Sequence, residues 1–263
     1  MNWGKPVDEE IESPDLKKEI QKHIVVGSLS LGKNIKEESI EKFITYLKMI
    51  QYYQNKISLT SVSDTFKILD KHFLDSISCI SLIEHVITEA GKEKIKMIDV
   101  GSGAGLPGIP IKNIFPEVRM TLLEARKNKK AFLDKVIKSL SFKNISVLED
   151  RAENLGKIPK HRECYNVVLS RAVAPLGVLC EYCLPLCKIQ GAMIAFKGSS
   201  YREELNIYHK VIEKLGGRLE NIYLIKIPYS NYIRYILFIR KIAPTPEKYP
   251  RRNGIPLKRP LCF

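Results

Sequence analysis

From Lys94 onward, short apolar runs alternate with polar spacers, and this rhythm leaves few folds open to the chain. The runs are Lys96–Val100, Val118–Glu124, Ile145–Glu149, Tyr165–Ser170, Gly191–Lys197, Leu219–Pro228 and Tyr232–Ile242. Spacers of about 15 to 20 residues, long enough for a helix, separate the first five. Strands joined in this way run parallel, because each must cross over through a helix before pairing again. Only Tyr229–Asn231 separates the last two runs, which predicts a hairpin and an antiparallel pair at one sheet edge. Upstream, residues 15–90 read as helical. Ile40, Phe43, Ile44, Leu47 and Ile50 mark one amphipathic face, and Phe66–Ile83 marks another. The expected architecture is α/β, with a mixed seven-stranded, doubly wound sheet. Residues 1–90 would form an N-terminal extension and helical cap, 91–242 the sheet domain, and 243–263 a basic, proline-rich arm.

Charge constrains the partner. The chain has 263 residues with 43 Lys+Arg against 29 Asp+Glu, a net charge of +14, and this favours a polyanion, nucleic acid before membrane. Lys241–Pro260 holds Lys241, Lys248, Arg251, Arg252, Lys258 and Arg259 against Glu247 alone. Five prolines in that stretch oppose a helix and predict an extended, backbone-exposed arm. Arg126–Lys143 is expected to be an amphipathic helix with a basic outer face. The first twenty residues lean acidic, with three Lys against six acids. No run approaches the roughly 18 apolar residues of a membrane span, and the polar start does not resemble a signal peptide. Six cysteines in so long a chain do not form a disulfide framework. A cytoplasmic protein is expected, and a monomer is favoured.

The strongest local signal is Asp99-Val-Gly-Ser-Gly-Ala-Gly-Leu-Pro-Gly108, directly after the first apolar run. Glycines at 101, 103 and 105 let a backbone turn tightly and approach a ligand without a Cβ in the way. In open α/β sheets that position lies at the carboxyl end of the first strand, where the strand order reverses. Glu124 closes the second strand, where a carboxylate can accept hydrogen bonds from both hydroxyls of a ribose. Gly103, Gly105 and Gly108 also match the G-x-G-x-x-G dinucleotide pattern, so an NAD-dependent oxidoreductase is the competing reading. The alternate glycines and Asp99, two residues before the first of them, favour S-adenosylmethionine, which has no pyrophosphate to cradle.

With Ile109-Pro110 completing this run, the chain resembles the RsmG (GidB) family of small-subunit ribosomal RNA methyltransferases. The likeness continues through Thr121–Glu124, Lys129, Phe132-Leu133, Arg151–Glu153, Ser170–Ala172 and Phe196–Gly198. It reaches outward to Asn55, Leu59-Thr60, His72-Phe73, Asp75-Ser76 and the tail Tyr249–Arg252. The resemblance implies a Rossmann-like class I methyltransferase that uses S-adenosylmethionine to methylate N7 of one guanosine in 16S rRNA, on free rRNA or on the small ribosomal subunit. It implies cofactor contacts at Gly101, Leu106, Ala152, Glu153 and Arg171. Departures from the family pattern are Gln54 for Trp, Ser58 for Asn, and Asn128 for a basic residue.

Side chains for other methyl acceptors are missing. An exocyclic amine calls for an Asn/Asp-Pro-Pro-aromatic clamp, where this chain has Ser170-Arg171-Ala172. A pyrimidine C5 calls for a nucleophilic Cys, commonly after Pro, and no Cys follows a Pro here. Guanine N7 needs neither, so no catalytic side chain is assigned and the enzyme's task is positioning. Arg151, Arg171 and Lys197, at or just after the ends of the third, fourth and fifth runs, are expected to bind RNA. Cys180, Cys183 and Cys187 are read as buried apolar positions on one helix face rather than a metal site. His72 and Asp75 are read as a structural pair at helical spacing. A third reading is an RNA-binding factor without catalysis.

Overall fold

The computed structural model describes residues 13–91 and 94–263. The acidic start at residues 1–12 therefore lies outside the described residues. The chain opens with α1 (Pro14–Ser30) and α2 (Glu37–Ile57), then α3 (Thr65–Ile68), a π-helical turn (Leu69–Leu74), α4 (Asp75–Ile77) and α5 (Ile80–Ala90). Thus the face expected over Phe66–Ile83 is not one regular helix: a π turn widens it and Ser78-Cys79 interrupts it. On α2 the predicted residues Ile40, Phe43, Ile44, Leu47 and Ile50 are all buried. That helix ends at Ser58 in a left-handed conformation, φ 48°. Asn and Gly enter this region more easily than Ser, which is a physical reading of the departure at this position. Ser58→Asn is expected to stabilise the fold by about 0.5–1 kcal/mol, raising the melting midpoint by roughly 1–4 °C. A midpoint that falls would contradict this.

Seven strands follow: β1 (Lys96–Val100), β2 (Arg119–Leu123), β3 (Ile145–Leu148), β4 (Tyr165–Arg171), β5 (Cys187–Lys197), β6 (Gly217–Lys226) and β7 (Ile233–Lys241). They form one sheet in the order β3-β2-β1-β4-β5-β7-β6. β1 to β5 are mutually parallel, and β7 enters antiparallel between β5 and β6. The strand order reverses between β1 and β4, as the glycine loop required. Between the strands lie α6 (Gly108–Ile114), α7 (Lys127–Ser139), α8 (Ala152–Leu155), α9 (Leu176–Cys183) and α10 (Tyr201–Lys214), with α11 (Ile255–Lys258) near the end.

Side chains alternate along each strand, and the two faces build two cores. Met97, Met120, Leu122, Val167 and Leu169 join the cap helices, α6 and α7 in one core. Ile98, Val100, Leu123, Val168 and Met193 join α9 and α10 in the other. The cap therefore shares its core with one face of the sheet.

Two expectations fail here. Cys187 begins β5 and does not share the α9 face of Cys180 and Cys183, although all three are buried. Pro185 ends the helical stretch before it. The strand also starts four residues before the predicted Gly191, across a register shift opposite Tyr165 and Val167. Nor is the tail a backbone-exposed arm. Thr245, Tyr249 and Pro256 are buried, and Arg162 donates to the carbonyls of Thr245 at 2.6 Å and Tyr249 at 2.8 Å. Prolines prevented a long helix, but they did not prevent packing.

Candidate cofactor groove

The loop after β1 is drawn against β2: the amides of Gly101 and Ser102 both donate to the Leu123 carbonyl, at 2.9 and 3.0 Å. Gly101, Gly103 and Gly105 all take positive φ, a region that side chains other than glycine enter only with strain. Beyond the loop, Asp99 accepts from the Gly108 amide at 3.0 Å and so ties the start of α6 to β1. Asp99 is fully buried and its Oδ1 has no hydrogen-bond partner among the described residues. Burial pushes its carboxyl up to about 7, against the smaller opposing effect of the Gly108 amide. From the cap, the Tyr46 hydroxyl donates to the Ala104 carbonyl at 2.6 Å.

Glu124 stands beside this loop, nearly buried, with both oxygens oriented by backbone. Oε2 accepts from the Gly103 amide at 2.9 Å and Oε1 from the Arg126 amide at 2.8 Å. Two cavities adjoin at Gly101, Glu124 and Val173. One extends past Ala125, Asp150, Arg151, Ala152, Glu153 and Tyr182, across the ends of β2 and β3. The other extends along Ser102–Ala104 and Leu106 to Arg126, Lys129, Arg171 and, from the cap, Leu59, Thr60 and His72.

This shape fits an adenosyl ligand. The groove is bipartite, with a carboxylate fixed at its junction by two backbone amides. A Cβ placed on Gly103 would meet no atom closer than 3.9 Å, so that residue opens onto free space. Gly105 differs: its Cβ would lie 2.6 Å from Ile109 Cγ1 and 2.9 Å from Leu133 Cδ2. It therefore faces the core, and its expected ligand contact is corrected to a turn-forming role. Gly101, Gly103, Leu106, Glu124, Ala152, Glu153 and Arg171 all line the groove.

The three cations expected at RNA separate. Arg151 is exposed on the rim. Lys197 is only 8% exposed, and its ammonium lies 2.6 Å from Glu204, so its assignment to RNA is withdrawn. It ties the first turn of α10 to the segment before α9, where it also donates to the Ala174 carbonyl at 3.3 Å. Arg171 turns toward the cap, donating to Asp75 Oδ2 at 2.7 Å and the Lys71 carbonyl at 3.1 Å. The side chain also lines the groove.

Asp75 is consequently not the partner of His72. The fully buried carboxylate also accepts two hydrogen bonds from Arg234, both at 2.7 Å. Arg234 was missed in the sequence, because nothing in its local pattern indicates a partner 159 positions away. His72 faces the Thr60 hydroxyl through Nε2 at 2.6 Å and the Lys71 carbonyl through Nδ1 at 3.0 Å. A carbonyl only accepts, so Nδ1 carries the proton and Nε2 receives the Thr60 hydrogen. Burial, reinforced by Arg171, holds its pKa down at about 4, leaving the ring neutral.

The sequence model described as rRNA small subunit methyltransferase G matches residues 39–232. The chain belongs to that family. A ribosomal RNA small subunit methyltransferase G from Acetivibrio thermocellus is 41% identical over 242 residues, covering 92% of this chain and 97% of that protein. One from Pelotomaculum thermopropionicum is 40% identical over 235 residues, covering 89% and 96%. Among solved structures, an rRNA methylase from Streptococcus thermophilus aligns with 62% of this chain and 96% of its own, at 13% identity and a TM-score of 0.45. Arg126, Lys129 and Arg151 stand around the groove mouth, and no helix among the described residues is long and apolar enough to cross a membrane.

Proposed function

We propose that the protein transfers a methyl group from S-adenosylmethionine to N7 of a guanosine in 16S rRNA, in the cytoplasm. The observation that carries this reading is the bipartite groove, with Glu124 held at its junction and cations at its mouth, in a chain of this family. When bound, the cofactor supplies an electrophilic methyl group on a sulfonium. Glu124 would hold the ribose hydroxyls, with Ala152, Glu153 and Tyr182 around the adenine. Gly101–Ala104 and Leu106 would flank the methionine portion, with Arg171 and His72 closing the cap side.

The remaining work is orientation. The N7 lone pair lies in the ring plane and outside the Watson–Crick edge, so no proton has to be removed before attack. That economy agrees with the lining, where His72 Nε2 is already occupied by the Thr60 hydroxyl. Arg126, Lys129 and Arg151 would take RNA phosphates and bring an unstacked purine to the mouth.

The test is methylation of undermodified small subunits, and separately of free rRNA, with labelled cofactor. One mole of label per mole of RNA is expected, and reduction followed by aniline should cut the RNA at one guanosine. Label at N1, at N2 or on a pyrimidine would refute the N7 assignment.

A further inference from the structure

Methyl transfer as described leaves the C-terminal segment without a task, yet that segment binds Glu153, which lines the adenine-side cavity. Glu153 projects from α8, a helix of only four residues that cannot fix its own orientation. Its carboxylate is 3% exposed, and Oε1 accepts from the Gly254 amide at 2.9 Å. Tyr182, across the cavity, senses the same carboxylate: burial and the Glu153 charge together push its hydroxyl up to about 12.

The tail is in turn firmly held. Arg251 binds the fully buried Glu181 of α9 through its backbone amide at 2.8 Å, through Nε at 2.9 and 3.1 Å, and through Nη2 at 2.6 Å. Arg162 Nη1 joins the Tyr249 carbonyl to that of Gly156, the residue that ends α8, both at 2.8 Å. Pro250 packs so closely that a Cβ on Gly156 would lie 2.9 Å from its Cγ. Both ends of α8 are thus bound to residues 249–254, while Arg252 and Arg259 are exposed.

We infer that Tyr249–Gly254 is a latch that sets the position of Glu153 and thereby the affinity of the groove for the adenine end of its ligand. The inference rests on the reading of the groove as a site for S-adenosylmethionine. Arg251 and Gly254 are positioning residues, acting through Glu153. One carboxylate oxygen is held by the tail, and the same carboxylate meets the Tyr182 hydroxyl at the adenine-side cavity, so the tail fixes the group from behind. The charge of Arg251 is neutralised by the buried Glu181, so this part of the basic tail serves the cofactor rather than the RNA.

Calorimetry on the full chain, without RNA, separates the possibilities. The probes are S-adenosylmethionine, S-adenosylhomocysteine and 5′-methylthioadenosine, which share the adenosine portion; the last lacks the amino acid. Arg251→Lys keeps the charge but not the forked geometry. Gly254→Ala strains a backbone at φ +76° with no atom within 4 Å of the added methyl, so the fold should survive. Each variant is expected to weaken all three ligands by a common factor of about ten, the scale of one hydrogen bond to a charged group. In the ligand-free protein, hydrogen exchange across Ala152–Leu155 should quicken. Arg259→Ala should change neither measurement. Wild-type affinities in both latch variants would overturn the inference, as would a loss for the two amino-acid-bearing ligands not shared by methylthioadenosine. A wild-type chain that binds none of the three would overturn the groove assignment itself, and this inference with it.

Discussion

Asp75→Ala is expected to lower stability by about 3–5 kcal/mol, because it leaves two guanidiniums in the interior without the carboxylate that both bind. Asp75 is fully buried, and the Arg171 and Arg234 side chains are each 9% exposed. Two positive charges share one negative charge, so the cluster is already one unit positive before any substitution. Removing the anion takes it to two. Arg234→Met, by contrast, leaves a neutral Asp75–Arg171 pair and should be milder, although it also forfeits the bond from Arg234 to the Lys197 carbonyl. At roughly 2–4 °C per kcal/mol for a chain of this size, Asp75→Ala should melt about 10 °C lower, and Arg234→Met distinctly less. Cofactor affinity should fall as well in the alanine variant, since Arg171 would lose the bond that fixes it along the groove. Equal melting points for the two variants would mean that charge imbalance does not govern this cluster.

That cluster also shows where sequence reading stops. The strands were legible because interior parallel strands read as unbroken apolar runs: Ile98, buried on its own face, pairs with Thr121 on one side and Val168 on the other. The glycine loop was legible because positive φ favours one residue type. Glu124 was legible because its place follows from the strand end. Lys197 was misread because a lysine at a strand end looks the same whether or not a glutamate from the next helix meets it. The inward bond of Arg171 was invisible for the same reason, its partner lying 96 positions earlier. The tail was misread because prolines report on backbone conformation alone. Its anchors, Glu153, Arg162 and Glu181, lie far upstream, and no local pattern links them to it.

Two glycines two residues apart should fail in opposite ways when substituted. Gly103 has φ +59°, and a Cβ there would meet nothing nearer than the Gly101 carbonyl and Lys129 Nζ, both at 3.9 Å. Valine would be strained in that backbone region, whereas asparagine is among the non-glycine residues that tolerate it best. Gly103→Asn should therefore fold with a melting midpoint within a few degrees of the parent, at a cost of about 1 kcal/mol. Its amide would occupy the space beside Glu124 that the ribose needs, and cofactor affinity should fall by about a hundredfold or more, equivalent to about 3 kcal/mol. Gly105→Ala places its methyl 2.6 Å from Ile109 Cγ1 and 2.9 Å from Leu133 Cδ2, in a backbone at φ +96°. Overpacking and strain together should cost about 2–4 kcal/mol of stability, while adding nothing to the groove. Calorimetry and thermal melting on the same two proteins should thus give crossed results, binding lost in the first and stability lost in the second. A Gly103→Asn protein that bound the cofactor normally would move the ligand away from the β1 loop. If both variants lost both properties, the loop and the core beneath it would be one rigid unit, and backbone approach could not be separated from packing.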